Sequence, residues 1–184
     1  MAHILRSPCR KIVSDDQTIV APCDGVVLEI KLDAFPDELG SDSMSSAKRI
    51  TIQNRINETQ LQTSPVTGHI VDNHLVPGLF TEWGDNSTSW QAARSCNERR
   101  EIRFRDQFER EVILVQLASK TARQLVCRLA QGKFIKSGEP IGMARIAGVV
   151  DLYVPERCEV LIEAGQHTIS GETALARFAR RGAE

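Results

Sequence analysis

Gly132-Lys133-Phe134-Ile135-Lys136-Ser137-Gly138-Glu139 returns as Gly165-Gln166-His167-Thr168-Ile169-Ser170-Gly171-Glu172, and this recurrence decides the fold. A glycine turn, a few extended residues and a second glycine turn make a compact β unit. An apolar strand precedes each copy, Leu125-Val126-Cys127-Arg128-Leu129 and Val160-Leu161-Ile162. A second pair lies upstream: Ala21-Pro22-Cys23-Asp24-Gly25-Val26-Val27 and Ser64-Pro65-Val66-Thr67-Gly68-His69-Ile70-Val71, each a Pro-x-x-Gly turn entering a strand. Repeats of both turns predict a mainly β protein in which the copies occupy equivalent positions. Ile135 and Ile169, the aliphatic residues held between the turns, are expected to be buried.

Paired turns and short strands of this kind resemble the barrel-sandwich architecture of biotinyl and lipoyl carrier domains. Those carriers need a modifiable lysine at a hairpin tip; neither repeat has one there, and Lys120 in Ala118-Ser119-Lys120-Thr121 is the nearest candidate. Period-two and continuous apolar runs predict strands at Val26–Leu32 and Val112–Leu117. A short helix is expected from Asn86 to Arg94, capped by Asn86 or Ser87, and a strand with a frayed helical end from Glu172 to Arg181. Residues 33–48, rich in Asp and Ser, read as a polar loop.

The 184 residues form a single domain, 1–184, long enough to bury roughly 70% of the unfolded surface. With 23 basic and 24 acidic residues the formal charge is -1, which leaves no field for nucleic acid. Five widely spaced cysteines, with no Cys-x-x-Cys and no zinc-ligand spacing, read as reduced thiols in a cytoplasmic protein. The chain shows no secretory pattern and no run of about 18 apolar residues, so it is expected to be soluble or peripheral at a membrane.

Gly142-Met143-Ala144-Arg145-Ile146-Ala147-Gly148-Val149-Val150-Asp151-Leu152-Tyr153-Val154-Pro155 resembles the self-processing segment of short-form phosphatidylserine decarboxylases, Gly-x-x-(Arg/Lys)-Phe-Gly-Ser-Arg-Val-Asp-Leu-x-x-Pro. Other stretches resemble that family in the same order: Leu5-Arg6-Ser7-Pro8-Cys9-Arg10, Ala21-Pro22-Cys23-Asp24-Gly25, Arg49-Ile50-Thr51-Ile52, Pro65-Val66-Thr67-Gly68, Pro77-Gly78-Leu79-Phe80, Asn97-Glu98-Arg99, Val115-Gln116-Leu117-Ala118 and Ala122-Arg123-Gln124-Leu125-Val126-Cys127. The resemblance implies the mainly β fold of these enzymes and a place in phosphatidylethanolamine synthesis. It also implies a Gly-Ser bond that breaks by serinolysis, leaving the serine as an N-terminal pyruvoyl group.

Site by site, the resemblance carries over unevenly. The family acid corresponds to Asp24 and is retained. The family histidine falls on Gln60, and the Arg or His before the small residue and proline falls on Thr63. The Gly-Ser pair falls on Ala147 and Gly148. Glutamine does not take a proton from a hydroxyl near neutral pH, and glycine has no hydroxyl to give. Neither base nor nucleophile is therefore expected, and no cofactor, the pyruvoyl group included.

Among the 12 glycines, the one followed by Ser, Thr or Cys is Gly40, in Leu39-Gly40-Ser41-Asp42, which reads as linker; Ser45-Ser46 is another weak candidate. His69 and His74 near Asp72 could hold a metal but read as surface histidines. Arg94, Arg99, Arg100, Arg103 and Arg105 could meet phosphate, yet Glu98, Glu101 and Asp106 interleave with them as a self-paired solvated face. Trp83 and Trp90 either pack down the loop after Pro77-Gly78 or rim a lipid-facing cleft. The resulting expectation is an inactive homologue that binds a phospholipid headgroup or membrane surface, or forms an oligomer with itself or an active relative. A decarboxylase processed by another route, and a carrier-like module, remain as alternatives.

Overall fold

The computed structural model describes residues 9–13, 15–33, 46–82, 87–127, 129–145 and 148–179. Fourteen strands and one helix follow in chain order: β1 Thr18–Val20, β2 Gly25–Asp33, β3 Ala47–Asn54, β4 Leu61–Thr63, β5 Gly68–Val76, α1 Ser87–Cys96, β6 Arg99–Arg105, β7 Glu111–Leu117, β8 Gln124–Cys127, β9 Phe134–Ile135, β10 Pro140–Arg145, β11 Gly148–Pro155, β12 Glu159–Val160, β13 His167–Thr168 and β14 Ala174–Arg177. Eight of them form a curled antiparallel half-barrel in the order β13-β2-β3-β11-β7-β6-β5-β9. Two three-stranded sheets, β1-β14-β12 and β4-β10-β8, accompany it.

The repeats generate a pseudo-two-fold arrangement that reaches individual hydrogen bonds. Gly165 N donates to Val27 O as Gly132 N donates to Ile70 O, both at 2.7 Å, and Gly171 N meets Ala21 O as Gly138 N meets Ser64 O. The strand after each Pro-x-x-Gly turn carries an irregular register at its third residue, between Val27 and Glu29 in β2 and between Ile70 and Asp72 in β5. The two-residue repeat strands β13 and β9 thereby close the two edges of the large sheet, and such short edges offer little backbone for pairing with another chain. Gly132, Gly138, Gly165 and Gly171 all have φ between +75° and +89°, a region a side chain disfavours. Gly138 and Gly171 lie together beneath Ile12, where a Cβ on either would come within 3.0 Å of the Ile12 side chain.

One repeat residue departs from expectation. Ile135 is buried, but Ile169 is 41% exposed. The isoleucine is displaced by one position in the second copy, so in extended backbone it falls on the opposite face. Thr168 takes the interior place and its hydroxyl donates to Cys23 O at 3.0 Å.

Alternation along the central strands gives two faces. Ile50, Ile52, Leu114, Val150, Leu152, Ile102 and Phe104 fill the main core on the concave side. Ala47, Ile113, Val115, Leu117, Val149 and Tyr153 form a second cluster on the other face, with Trp90 of α1 packed on it. The expected helix is therefore present, and Trp90 serves packing; Trp83 lies outside the described residues. Of the polar loop expected at 33–48, Asp33 instead closes β2 and Ala47 and Lys48 pair in β3, while 34–45 lie outside the described residues.

On that second face α1 is tied down by charge. Arg94 Nε donates to Asp151 Oδ2 at 2.7 Å and its Nη2 donates to Glu29 and Thr51, while Thr51 Oγ1 donates to Asp151 Oδ1. Burial opposes the Arg94 charge, but Asp151 and Glu29 more than offset it and raise the guanidinium above its ordinary pKa. Glu29 is held low despite burial by Lys31, Arg49 and Arg94. Of the self-paired solvated face expected in β6, Arg99 does bond Glu101 at 2.7 Å, but both are buried, and Arg103 and Arg105 turn instead to Glu111 of β7.

Candidate functional site

Strand direction places the family-like positions at one end of the large sheet. Gly148 opens β11 opposite Asn54, the last residue of β3. Asn54 Nδ2 donates to Asp24 O at 2.7 Å and to Thr59 O at 3.1 Å, so this one amide joins the Asp24 turn to the loop carrying Gln60. Sequence reasoning missed Asn54. Its only signal is a polar residue at the end of an alternating strand, and its register partner cannot be read locally.

Asp24 is engaged. Its Oδ2 accepts from Arg10 at 2.6 Å and its Oδ1 from Ser170 N at 2.8 Å. Gln60 is buried, with Nε2 donating to the carbonyls of Arg55 and Glu58 at 2.9 and 3.0 Å. Thr63 shares a 2.8 Å hydroxyl contact with Ser170, beside the Asp24 turn. Gly148 is buried within a paired strand; Ala147, Gly40, Ser41 and Ser45 lie outside the described residues. Nearby, Gln116 Nε2 donates to Gln62 Oε1 at 2.5 Å, and Gln116 Oε1 is buried with no hydrogen-bond partner among the described residues.

Chemically, this is an acid turn, buried amides and a hydroxyl at the sheet end where Gly148 opens β11. Gly148 itself brings no side-chain oxygen to this end of the sheet. Elsewhere, burial together with the charges of Asp24 and Glu58 drives the Cys23 thiol well above its ordinary range. Burial also pushes Cys158 up to about 12 against the pull of Lys48 and Arg110. Neither is a reactive thiolate.

No group of three or more His, Cys, Asp or Glu side chains fit to hold a metal occurs among the described residues. His74 contacts Asp72 at 2.8 Å and Glu101 at 3.4 Å, while His69 stands edge-on to Phe134. Among the described residues no helix is long and apolar enough to cross a membrane.

A curled antiparallel sheet with duplicated Pro-x-x-Gly turns, an acid turn and a strand start gathered at one end defines the class of scaffold that the sequence motifs resemble. Comparison with known proteins gives the family. The family model described as phosphatidylserine decarboxylase matches residues 1–176. The chain is 32% identical over 179 residues to a phosphatidylserine decarboxylase proenzyme of Rickettsia akari, covering 97% of this chain and 75% of the relative. It is 31% identical over 182 residues to that of Rickettsia typhi, covering 99% and 76%. The chain belongs to the phosphatidylserine decarboxylase family.

Proposed function

We propose that the chain is a decarboxylase homologue that neither cleaves itself nor decarboxylates, and that it acts by holding a phospholipid headgroup at a membrane surface or by pairing with an active relative in the cytoplasm. The observation that carries this reading is the Ala147-Gly148 pair where the family motif has Gly-Ser. The relatives are called proenzymes. A proenzyme of this kind needs an internal nucleophile, and none stands at position 148. Two further features support the reading. Gln60 spends its amide hydrogens on loop carbonyls, and both Asp24 oxygens are occupied by Arg10 and Ser170.

Intact mass tests it directly. The purified protein should remain one chain near 20.4 kDa with no carbonyl that borohydride reduces. A fragment beginning at position 148 or at Ser41 would overturn the reading. Restoring the chemistry is the sharper test. Ala147→Gly with Gly148→Ser supplies the scissile pair without a base, and adding Gln60→His should raise self-cleavage by on the order of 100-fold. Asp24→Asn in that triple variant should suppress it again. Equal cleavage with and without Gln60→His would show that the base belongs at another position.

A further inference from the structure

Residues 9–13 belong to none of the three sheets, yet they cross the seam where the two repeats meet. Gly138 and Gly171, the second turn glycines of the repeats, lie back to back: a Cβ on Gly171 would come 3.4 Å from Gly138 Cα. Their missing side chains leave a slot, and Ile12 fills it, so that a Cβ on either would collide with the Ile12 side chain. Gly132 and Gly165 share the positive φ but face open space. At Gly138 and Gly171 the absence of a side chain therefore serves the seat of Ile12 as well as the turn.

The remaining holds on this segment are gathered at one turn. Val13 N donates to Gly171 O at 3.2 Å, Lys11 N to Glu172 Oε1 at 3.0 Å, and Arg10 Nη2 to Asp24 Oδ2 at 2.6 Å. Ser170 N donates to the other Asp24 oxygen, so residues 170–172 grip the segment and Asp24 together. The holds are also few: β11 pairs with β3 along eight residues, whereas here two backbone donors and one ion pair suffice among the described residues. Cys9 and Lys11 are exposed, and Ile12 and Val13 are half-buried and stand outside the apolar clusters. The Arg10 and Asp24 side chains keep 20% and 16% of their surface in water, and such a pair contributes little alone. Little buried apolar surface and few backbone bonds put a segment at the low end of a fold's local stabilities, where it opens while the rest stays closed.

We propose that residues 9–13 are a strap that opens locally, with Ile12 as its pin and the Arg10–Asp24 pair as its latch, and that its opening uncovers Asp24 while the sheets remain intact. Closed, the strap neutralises Asp24 with a cation of the chain's own. Open, it leaves one oxygen of Asp24 free at the sheet end where Gly148 begins β11. Access to the acid turn is thus gated by a short segment of the same chain. This gating is independent of the headgroup reading.

Amide hydrogen exchange of the full chain, read residue by residue by NMR, tests the strap. The Lys11 and Val13 amides should exchange about 100-fold or more faster than those of Ile113 and Leu114 in β7. Ile12→Ala should speed the two strap amides about tenfold and Arg10→Gln about threefold. Asp24→Asn should match Arg10→Gln, and the double variant should add nothing to either, because both remove one latch. Gly138→Ala fills the slot and should speed the strap about tenfold. Gly132→Ala strains the backbone without touching Ile12, so it should speed β7 and leave the strap unchanged. Leu114→Ala should likewise speed β7 by about 30-fold or more with no effect on Lys11 and Val13. Strap amides that exchange at the β7 rate, or that follow Leu114→Ala and Gly132→Ala by the same factor as β7, would overturn the proposal, since the segment would then open only with the whole fold. Strap exchange indifferent to both Ile12→Ala and Arg10→Gln would overturn it as well.

Discussion

The turns at Asp24 and Thr67 occupy the same place in the two halves of the molecule. Thr67 Oγ1 accepts from Ser137 N at 3.0 Å, and Asp24 Oδ1 accepts from Ser170 N at 2.8 Å. A threonine performs in one half the turn-closing task that an aspartate performs in the other. What distinguishes Asp24 is the second oxygen, which takes Arg10. Retention of the acid is thus explained by architecture, independently of any reaction. A residue that a motif marks as catalytic can persist because the fold uses the same atom.

The largest asymmetry between the halves should appear at the displaced isoleucine. Ile135→Ala empties a buried site and should cost about 2–5 kcal/mol in denaturant unfolding, whereas Ile169→Ala should cost less than about 1 kcal/mol. Similar values would mean that the second copy repacks in solution. Next come the glycines. Gly132→Ala and Gly165→Ala face open space and should cost about 1–2 kcal/mol from positive φ alone. Gly138→Ala and Gly171→Ala should cost about 1–3 kcal/mol more through collision with Ile12. Truncating Ile12 to Ala in the same background should recover that difference if the contact is its source.

Asp24 itself should show a smaller effect. Asp24→Ala leaves Ser170 N without its acceptor and should cost about 1–2 kcal/mol, while Asp24→Thr, copying the other half, should recover part of the loss. Equal destabilisation by Ala and Thr would break the equivalence. The smallest effect concerns Cys23, whose counterpart is Val66. Folding raises the Cys23 thiol above its ordinary 9.0, so its contribution is fully present below about pH 9 and is lost as pH rises toward the folded value. Cys23→Val should be nearly neutral at pH 7 and should flatten the decline in stability above pH 9, followed by thermal melts.

Local signals carried much of the fold. The duplicated turns, the β2 and β7 runs and the short helix were legible because glycine punctuation and apolar period act over a few residues. The loop limits at 33–48 and the burial of Ile169 were misjudged, because pairing partners and face parity are set by distant strands. The same limit applied to the site. Asp24, Gln60 and Gly148 were found through motif resemblance, and the fold brings them to one end. Asn54, which links two of their loops, and the contacts that occupy Asp24 became visible only with strand register. Arg94, read from sequence as one member of a solvated cluster, proved to be the anchor of α1.

That anchor has a consequence for position 148. Asp151 stands three residues further along the same strand, clasped by Arg94 and Thr51 on the face opposite the main core. Sliding β11 by one residue would swing Asp151 into that core and Val150 or Leu152 out among the charges, so the clasp indexes the strand against its neighbours. The start of β11 is therefore delivered to the same point in space whatever residue occupies it. A scaffold indexed in this way behaves as a socket: the part that does chemistry can be absent while the fitting that receives it keeps its shape.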